Sequence, residues 1–263
     1  MPTARTEDGV SISYKVHGNG QRYLLFMHGW AGSGAYFDET VKHLDLTGLR
    51  AVTIDLRGHG GSDKAETGYT LDRIARDVLA VADHVGAAQM VVVGFSMSGK
   101  FAQYIPLLAP DRVIGQVLVT PCPASKLPFP RETQRDWVSR VGNREKLREV
   151  TAMFVTQPVP PEVLDRWAAD AEKVPRVALD ETLNLVAQES FVDRLESVHI
   201  PTLVVGGVHD PIMTPAALRE SVVAPLARAR LALLDCNHEV PIEKPLELAG
   251  LIEAFLVGLP DAS

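Results

Sequence analysis

The sequence predicts an α/β protein whose sheet is mostly parallel and covered by helices on both faces. Three observations carry this. Short, continuous apolar runs recur along the chain, amphipathic helical stretches separate them, and a single alternating stretch near the start supplies an antiparallel edge. Continuous apolar runs suit strands buried on both sides, where no polar face is left to alternate.

The elements follow in order. Residues 10–17 alternate apolar and polar, as a half-exposed strand does, and Gly18, Asn19 and Gly20 then turn the chain. Residues 23–27 are the first continuous apolar run, and 50–55, 89–93, 113–119, 202–206 and 230–234 repeat it. Residues 70–85 place Leu71, Ile74, Val78, Val81, Ala82 and Val85 on one helical face. Residues 97–109, 214–224 and 244–257 also read as helices. The rhythm breaks from about Pro121 to Val198, where no buried strand is evident. Prolines 121, 123, 128 and 130 mark an irregular start, and helical stretches follow near 131–149, 161–173 and 178–196. The expectation is a core made of residues 1–120 and 199–263, with a helical insertion at 121–198. Loops at the carboxyl ends of parallel strands build ligand sites, so the insertion is placed to act as a cap or lid. Its aromatics Trp137, Phe154 and Trp167 are each expected to pack in a local core before touching a ligand.

Composition narrows the function classes. The 263 residues are 46% hydrophobic and 22% charged, enough apolar matter for a sizeable core, and the net charge is −7. No Lys/Arg-rich run is present, which argues against nucleic acid or an anionic membrane as a partner. Residues 1–9 lack the apolar stretch of a secretion signal, and no run of about 18 apolar residues occurs. Cys122 and Cys236 cannot make a disulfide framework, so a cytoplasmic protein with free, buried thiols is expected. The histidines and carboxylates lack metal-ligand spacing, and no metal or cofactor is expected. The partner is a small-molecule substrate; a homo-oligomer is compatible with the sequence but not fixed by it.

One short stretch carries the chemistry. Val91, Val92 and Val93 run into Gly94-Phe95-Ser96-Met97-Ser98-Gly99, between a strand and a helix. A serine at the apex of such a tight turn is held in strained geometry, with its hydroxyl exposed. Residues two before and two after must be small, because strand and helix backbones approach closely there. Gly94 meets the first demand, and Ser98 stands where a second glycine is usual. Making Ser98 the apex would put Ser96 and Lys100 at the crowded positions, which lysine does not fit. A Ser-x-x-Lys reading fails because Met97 occupies the required serine position. Ser96 is therefore the candidate nucleophile, and Ser98 a small filler.

A serine needs a base, and the base needs an orienting carboxylate. Of eight histidines, His238 follows a strand and precedes the last helix, late in the chain, where the base belongs in the order Ser, Asp/Glu, His. Asp210 follows another buried run and is the favoured carboxylate. Asp235 and Glu239 flank His238 and are rivals, but sequence neighbours rarely reach the ring nitrogen correctly. Two backbone N–H donors should face the oxyanion. Met97, at the positive end of a helix, would supply one, and Trp30 in the loop His28-Gly29-Trp30 the other. Phe129, Trp137 and Met213 are the candidate substrate-binding residues.

Together with His28-Gly29-Trp30, Asp55-Leu56-Arg57-Gly58-His59-Gly60-Gly61-Ser62, Gly94-Phe95-Ser96-Met97, Pro110-Asp111-Arg112-Val113 and Ile200-Pro201-Thr202-Leu203, these residues resemble the α/β-hydrolase family over nearly the whole chain. The likeness is to its serine branch of cofactor-free haloperoxidase-type perhydrolases and small esterases. It implies an eight-stranded sheet, a Ser-Asp-His triad, no metal and a helical cap after the sixth strand. Dehalogenases and epoxide hydrolases of this fold carry aspartate at the bend, which Ser96 argues against. The resemblance implies hydrolysis of a small-to-medium ester, thioester or lactone. Carbon–carbon hydrolysis, perhydrolysis and ligand sensing by a hydrolase-like receptor are its alternatives. Residues 121–198 match nothing that names the substrate.

Overall fold

The structure, a computed structural model, describes residues 1–260. Residues 261–263, assigned above to the core, lie outside the described residues. Eight strands form one sheet in the order β1-β2-β4-β3-β5-β6-β7-β8. They are β1 (Thr3–Arg5), β2 (Ser11–His17), β3 (Arg22–Met27), β4 (Leu49–Ile54), β5 (Met90–Phe95), β6 (Val113–Val119), β7 (Thr202–Gly207) and β8 (Ala229–Leu234). β1 and β2 pair antiparallel at one edge, and every pairing from β4 to β8 is parallel.

The apolar runs are buried on both faces because successive side chains point opposite ways. Leu25 and Met27 of β3 join one core cluster, while Leu24 and Phe26 join the other. Val92 and its neighbours Val91 and Val93 divide in the same way. The helices α1 (Asp38–His43), α2 (Leu71–Val85) and α3 (Met97–Leu108) come from the first half of the chain. α2 starts where the Thr70 hydroxyl accepts from Arg73 N (3.1 Å) and stops at Gly86, whose φ of 76° ends it. α2 and α3 pack on the first cluster, and α1 packs on the second.

Some elements differ from expectation. The middle of β2 is buried on both faces, because the Ser62 hydroxyl bonds Ser13 N (2.8 Å) and brings the loop after β4 over it. β8 is a half-buried edge strand. The short turn Gly34–Phe37 and α1 are too brief to show a helical period in the sequence.

Residues 121–198 carry four helices: α4 (Arg131–Arg140), α5 (Arg144–Ala152), α6 (Pro161–Ala171) and α7 (Arg176–Gln188). The stretch 131–149 is two helices because Gly142, at φ 93°, breaks it. The stretch 178–196 ends at Gln188 and resumes as the 3₁₀ turn Val192–Ser197. Val138, Ala171, Leu179 and Leu183 of these helices form a third small core with Ala31 and Tyr69. After β7 come α8 (Pro215–Leu218), which widens into a π turn at Arg219–Val223, then α9 (Val240–Glu243) and α10 (Pro245–Val257). No described helix is long and apolar enough to cross a membrane.

Candidate active site

Ser96 stands between β5 and α3 with φ 53° and ψ −115°, a backbone state that only surrounding structure can enforce on a non-glycine residue. Its N–H donates to Val119 O (2.9 Å), and its carbonyl accepts from Cys122 N (2.8 Å) and Gly99 N (3.0 Å). The end of β6 thus pins the bend on both sides. A Cβ on Gly94 would lie 2.5 Å from Ser98 O, and one on Gly99 2.3 Å from the Pro121 Cβ. Ser98 is fully buried, and its hydroxyl is used: it donates to Met27 O (2.6 Å) and accepts from Phe95 N (2.9 Å). It clamps the bend to β3.

The loop after β8 carries His238 to this bend. His238 Nε2 lies 2.9 Å from Ser96 Oγ, and its Nδ1 lies 2.7 Å from Asp210 Oδ2. Asp210 follows β7, and its other oxygen accepts from Ile212 N (2.8 Å) and Met213 N (2.9 Å). With Nδ1–H donating to the carboxylate, Nε2 is left to accept the serine proton. Burial alone would depress the imidazole, but the hydrogen bond and charge of Asp210, with the charge of Glu239, hold it above the usual value. Burial likewise opposes ionisation of Asp210, yet His238 and the two N–H donors hold its carboxyl below the usual range. Asp235 is exposed and engages His209 Nε2 (2.9 Å) instead. Glu239 turns its carboxyl to Tyr36. Thr120, which no sequence motif marks, follows β6 at φ 39° and donates from its hydroxyl to His238 O (3.0 Å).

Met97 is the first residue of α3, so its N–H has no partner within the helix. Trp30 follows β3, and its indole N–H donates to Leu179 O of α7 (3.1 Å), fixing this loop to the insertion. Both residues, with Ser96 and His238, line a cavity of ≈ 150 Å³. A space of that order takes a benzene-sized group. Phe129 and Trp137 line it too. Met213 does not: its N–H is tied to Asp210, its side chain is buried in the sheet core, and the neighbouring Ile212 reaches the cavity instead. Phe154 and Trp167 also form cavity wall, where a purely local core was expected.

Other polar groups near the bend hold the frame. Burial pushes Cys122 and Cys236 up to about 12, which keeps both thiols neutral, and they belong to different core clusters. Lys100, fully buried, donates to Ser125 O (2.9 Å), Val186 O (3.2 Å) and Glu189 O (2.6 Å). It ties α3 to both ends of the insertion and offsets the last carbonyls of α7. Lys100→Met leaves the Ser125 and Glu189 carbonyls unmatched, while Val186 O keeps the Leu127 N–H (3.2 Å), and is expected to cost about 3 kcal/mol, read by urea unfolding.

His28 donates from Nδ1 to Gly29 O (2.7 Å) and accepts Leu56 N–H (3.1 Å), a bond beyond its own loop. His59 packs on it with ring centroids 4.9 Å apart, and its Nε2 has no partner. Burial pushes His28 down to about 4 and His59 down to about 3. Below pH 6.5 the unfolded imidazoles take protons that the folded ones refuse, so each costs stability as pH falls, about 1.4 kcal/mol per pH unit. Glu239, held up to about 7, acts oppositely above its usual range. The test is therefore a difference: His59→Gln should flatten the stability slope by about 1.4 kcal/mol per pH unit between pH 6 and 4.5, measured by urea titrations.

A parallel sheet in this strand order, with a serine at the strand-to-helix bend, defines a hydrolase of the α/β type. The chain belongs to the alpha/beta hydrolase fold family, whose profile matches residues 23–156. A non-heme haloperoxidase of Rhodococcus erythropolis is 28% identical over 247 residues, spanning 88% of this chain and 90% of that protein. A bifunctional esterase/perhydrolase of Acinetobacter calcoaceticus is 28% identical over 234 residues, spanning 81% of this chain and 83% of that protein. The solved structure of an esterase from Exiguobacterium antarcticum superposes with a TM-score of 0.88 at 18% identity, covering 97% of this chain and 99% of that one.

Proposed function

We propose that the chain hydrolyses a small carboxylic ester, thioester or lactone through an acyl-enzyme on Ser96. The observation that carries this is the relay from Ser96 Oγ to His238 (2.9 Å) to Asp210 (2.7 Å), with Ser96 and His238 in the wall of an apolar cavity. Ser96 attacks the carbonyl carbon as His238 Nε2 takes its proton. Asp210 holds the imidazole in the required tautomer and stabilises its charge. The Met97 and Trp30 N–H groups receive the oxyanion. The imidazolium then gives its proton to the leaving oxygen or sulfur, and a water activated by the neutral imidazole frees the acid. Residues 121–198 serve as a cap, since their aromatics supply much of the cavity wall. The cavity's ≈ 150 Å³ favours a short acyl group or small ring.

An organophosphonate probe tests the reading directly. Peptide mass mapping should place the adduct on Ser96, and no adduct together with no ester turnover would overturn it. Perhydrolysis, with peroxide in place of water, is the second reading, favoured by the names of the haloperoxidase and esterase/perhydrolase relatives. Peracid yield against acid yield from one ester separates the two.

A further inference from the structure

Two side chains of the cavity wall each hold a buried polar atom without a partner. Glu239 Oε2 accepts no hydrogen bond, and the Trp167 indole Nε1 donates none. Both side chains line the cavity and are each only 8% exposed. Buried polar groups are nearly always matched, and leaving one unmatched costs about 1–3 kcal/mol. The Trp30 indole in the same cavity is matched, by Leu179 O. Tyr36 joins the two orphans into one patch. Its ring stacks on Trp167 with centroids 4.6 Å apart, and its hydroxyl lies beside the Glu239 carboxyl. The other neighbour of Tyr36 is Phe95, which packs against the His238 ring, so the patch adjoins the reacting groups.

We propose that Glu239 and Trp167 form a polar subsite that takes a neutral oxygen function of the substrate, a hydroxyl or carbonyl, separate from the bond cleaved. The inference rests on the ester-hydrolase reading above. A substrate hydroxyl would accept from the indole N–H or donate to Glu239 Oε2. A carbonyl would accept from the indole N–H or from the acid proton of Glu239, which burial keeps available by holding that carboxyl up to about 7. A carboxylate would meet the charges of Glu239 and Asp210 and is disfavoured. An ammonium would leave the indole unmatched. Sites built to bind a hydroxyl reject analogues that lack it far more strongly than apolar pockets reject a changed methylene.

The test compares matched short esters on the wild-type protein. Each bears a hydroxyl or keto group on the acyl chain or the alcohol, beside its counterpart without that group and one bearing a carboxylate. At least one oxygenated ester should exceed its counterpart in kcat/KM on the order of 10-fold or more, and the carboxylate ester should fall below both. Glu239→Leu and Trp167→Phe should each bring that ratio to about one. Ratios near one throughout the wild-type series, or a ratio untouched by both variants, would overturn the subsite. Calorimetric binding of the same ester pairs to Ser96→Ala reads the preference without turnover. Loss of all ester chemistry would thus refute the hydrolase reading, while equal binding of every pair would refute the subsite.

Discussion

Replacing Ser96 by alanine is expected to lower kcat for ester hydrolysis by up to about 10⁶, because a nucleophile and its base act as a unit. Removing the hydroxyl leaves His238 with no proton to take and forces water to attack directly. The oxyanion donors would still hold the substrate carbonyl, so roughly 10³–10⁴-fold acceleration over water should survive. Steady-state turnover on a p-nitrophenyl ester measures the loss, and retained turnover would dismiss the nucleophile. Ser98→Ala is the matched control. Its hydroxyl spans Met27 O and Phe95 N and faces no cavity, so its removal should cost about 1–3 kcal/mol of stability and far less in kcat. A larger kinetic loss at Ser98 than at Ser96 would reverse the assignment.

How much of this was legible depends on the range of the forces involved. Strand and helix periods are set within a few residues, so the apolar runs and the Gly94–Ser98 bend could be read directly. The crowding that demands small residues there is local too, and Gly94 and Gly99 meet it against Ser98 O and Pro121. The cavity wall is a different matter. Trp137, Phe154 and Trp167 come from three segments of the insertion, and only tertiary packing turns them toward Ser96. Met213 and Ile212 are adjacent and both apolar. Which of them reaches the cavity is decided by two backbone bonds to Asp210 Oδ1, which no spacing reveals. In the sequence Glu239 reads only as a rival partner for the His238 ring; its approach to Tyr36, from a turn some two hundred residues earlier, depends on tertiary packing that no local pattern shows. The signal available in the sequence was an acid placed directly after the base, where desolvation is expected.

Asp210→Asn should lower kcat by about 10⁴ while leaving the fold intact. The carboxylate accepts on both oxygens: from His238 Nδ1–H at 2.7 Å, and from the Ile212 and Met213 N–H groups at 2.8 and 2.9 Å. An asparagine can keep only one of these sets. If its carbonyl oxygen stays on the two backbone donors, its NH₂ faces Nδ1, which must then accept. The ring proton moves to Nε2, and the base that should take the Ser96 proton becomes a donor to it. If the amide turns the other way, the NH₂ confronts two N–H groups, and the loop carrying Ile212 loses its anchor. The first arrangement is the cheaper, so chemistry should fail before stability does. Asp235→Asn removes the rival carboxylate, which is exposed and occupied with His209, and should change kcat less than about twofold. Paired kcat and urea-unfolding measurements on the two variants decide the matter. Equal kinetic losses, or a collapse of Asp210→Asn stability that accounts for its lost rate, would remove Asp210 from the relay and leave His238 oriented by its backbone alone.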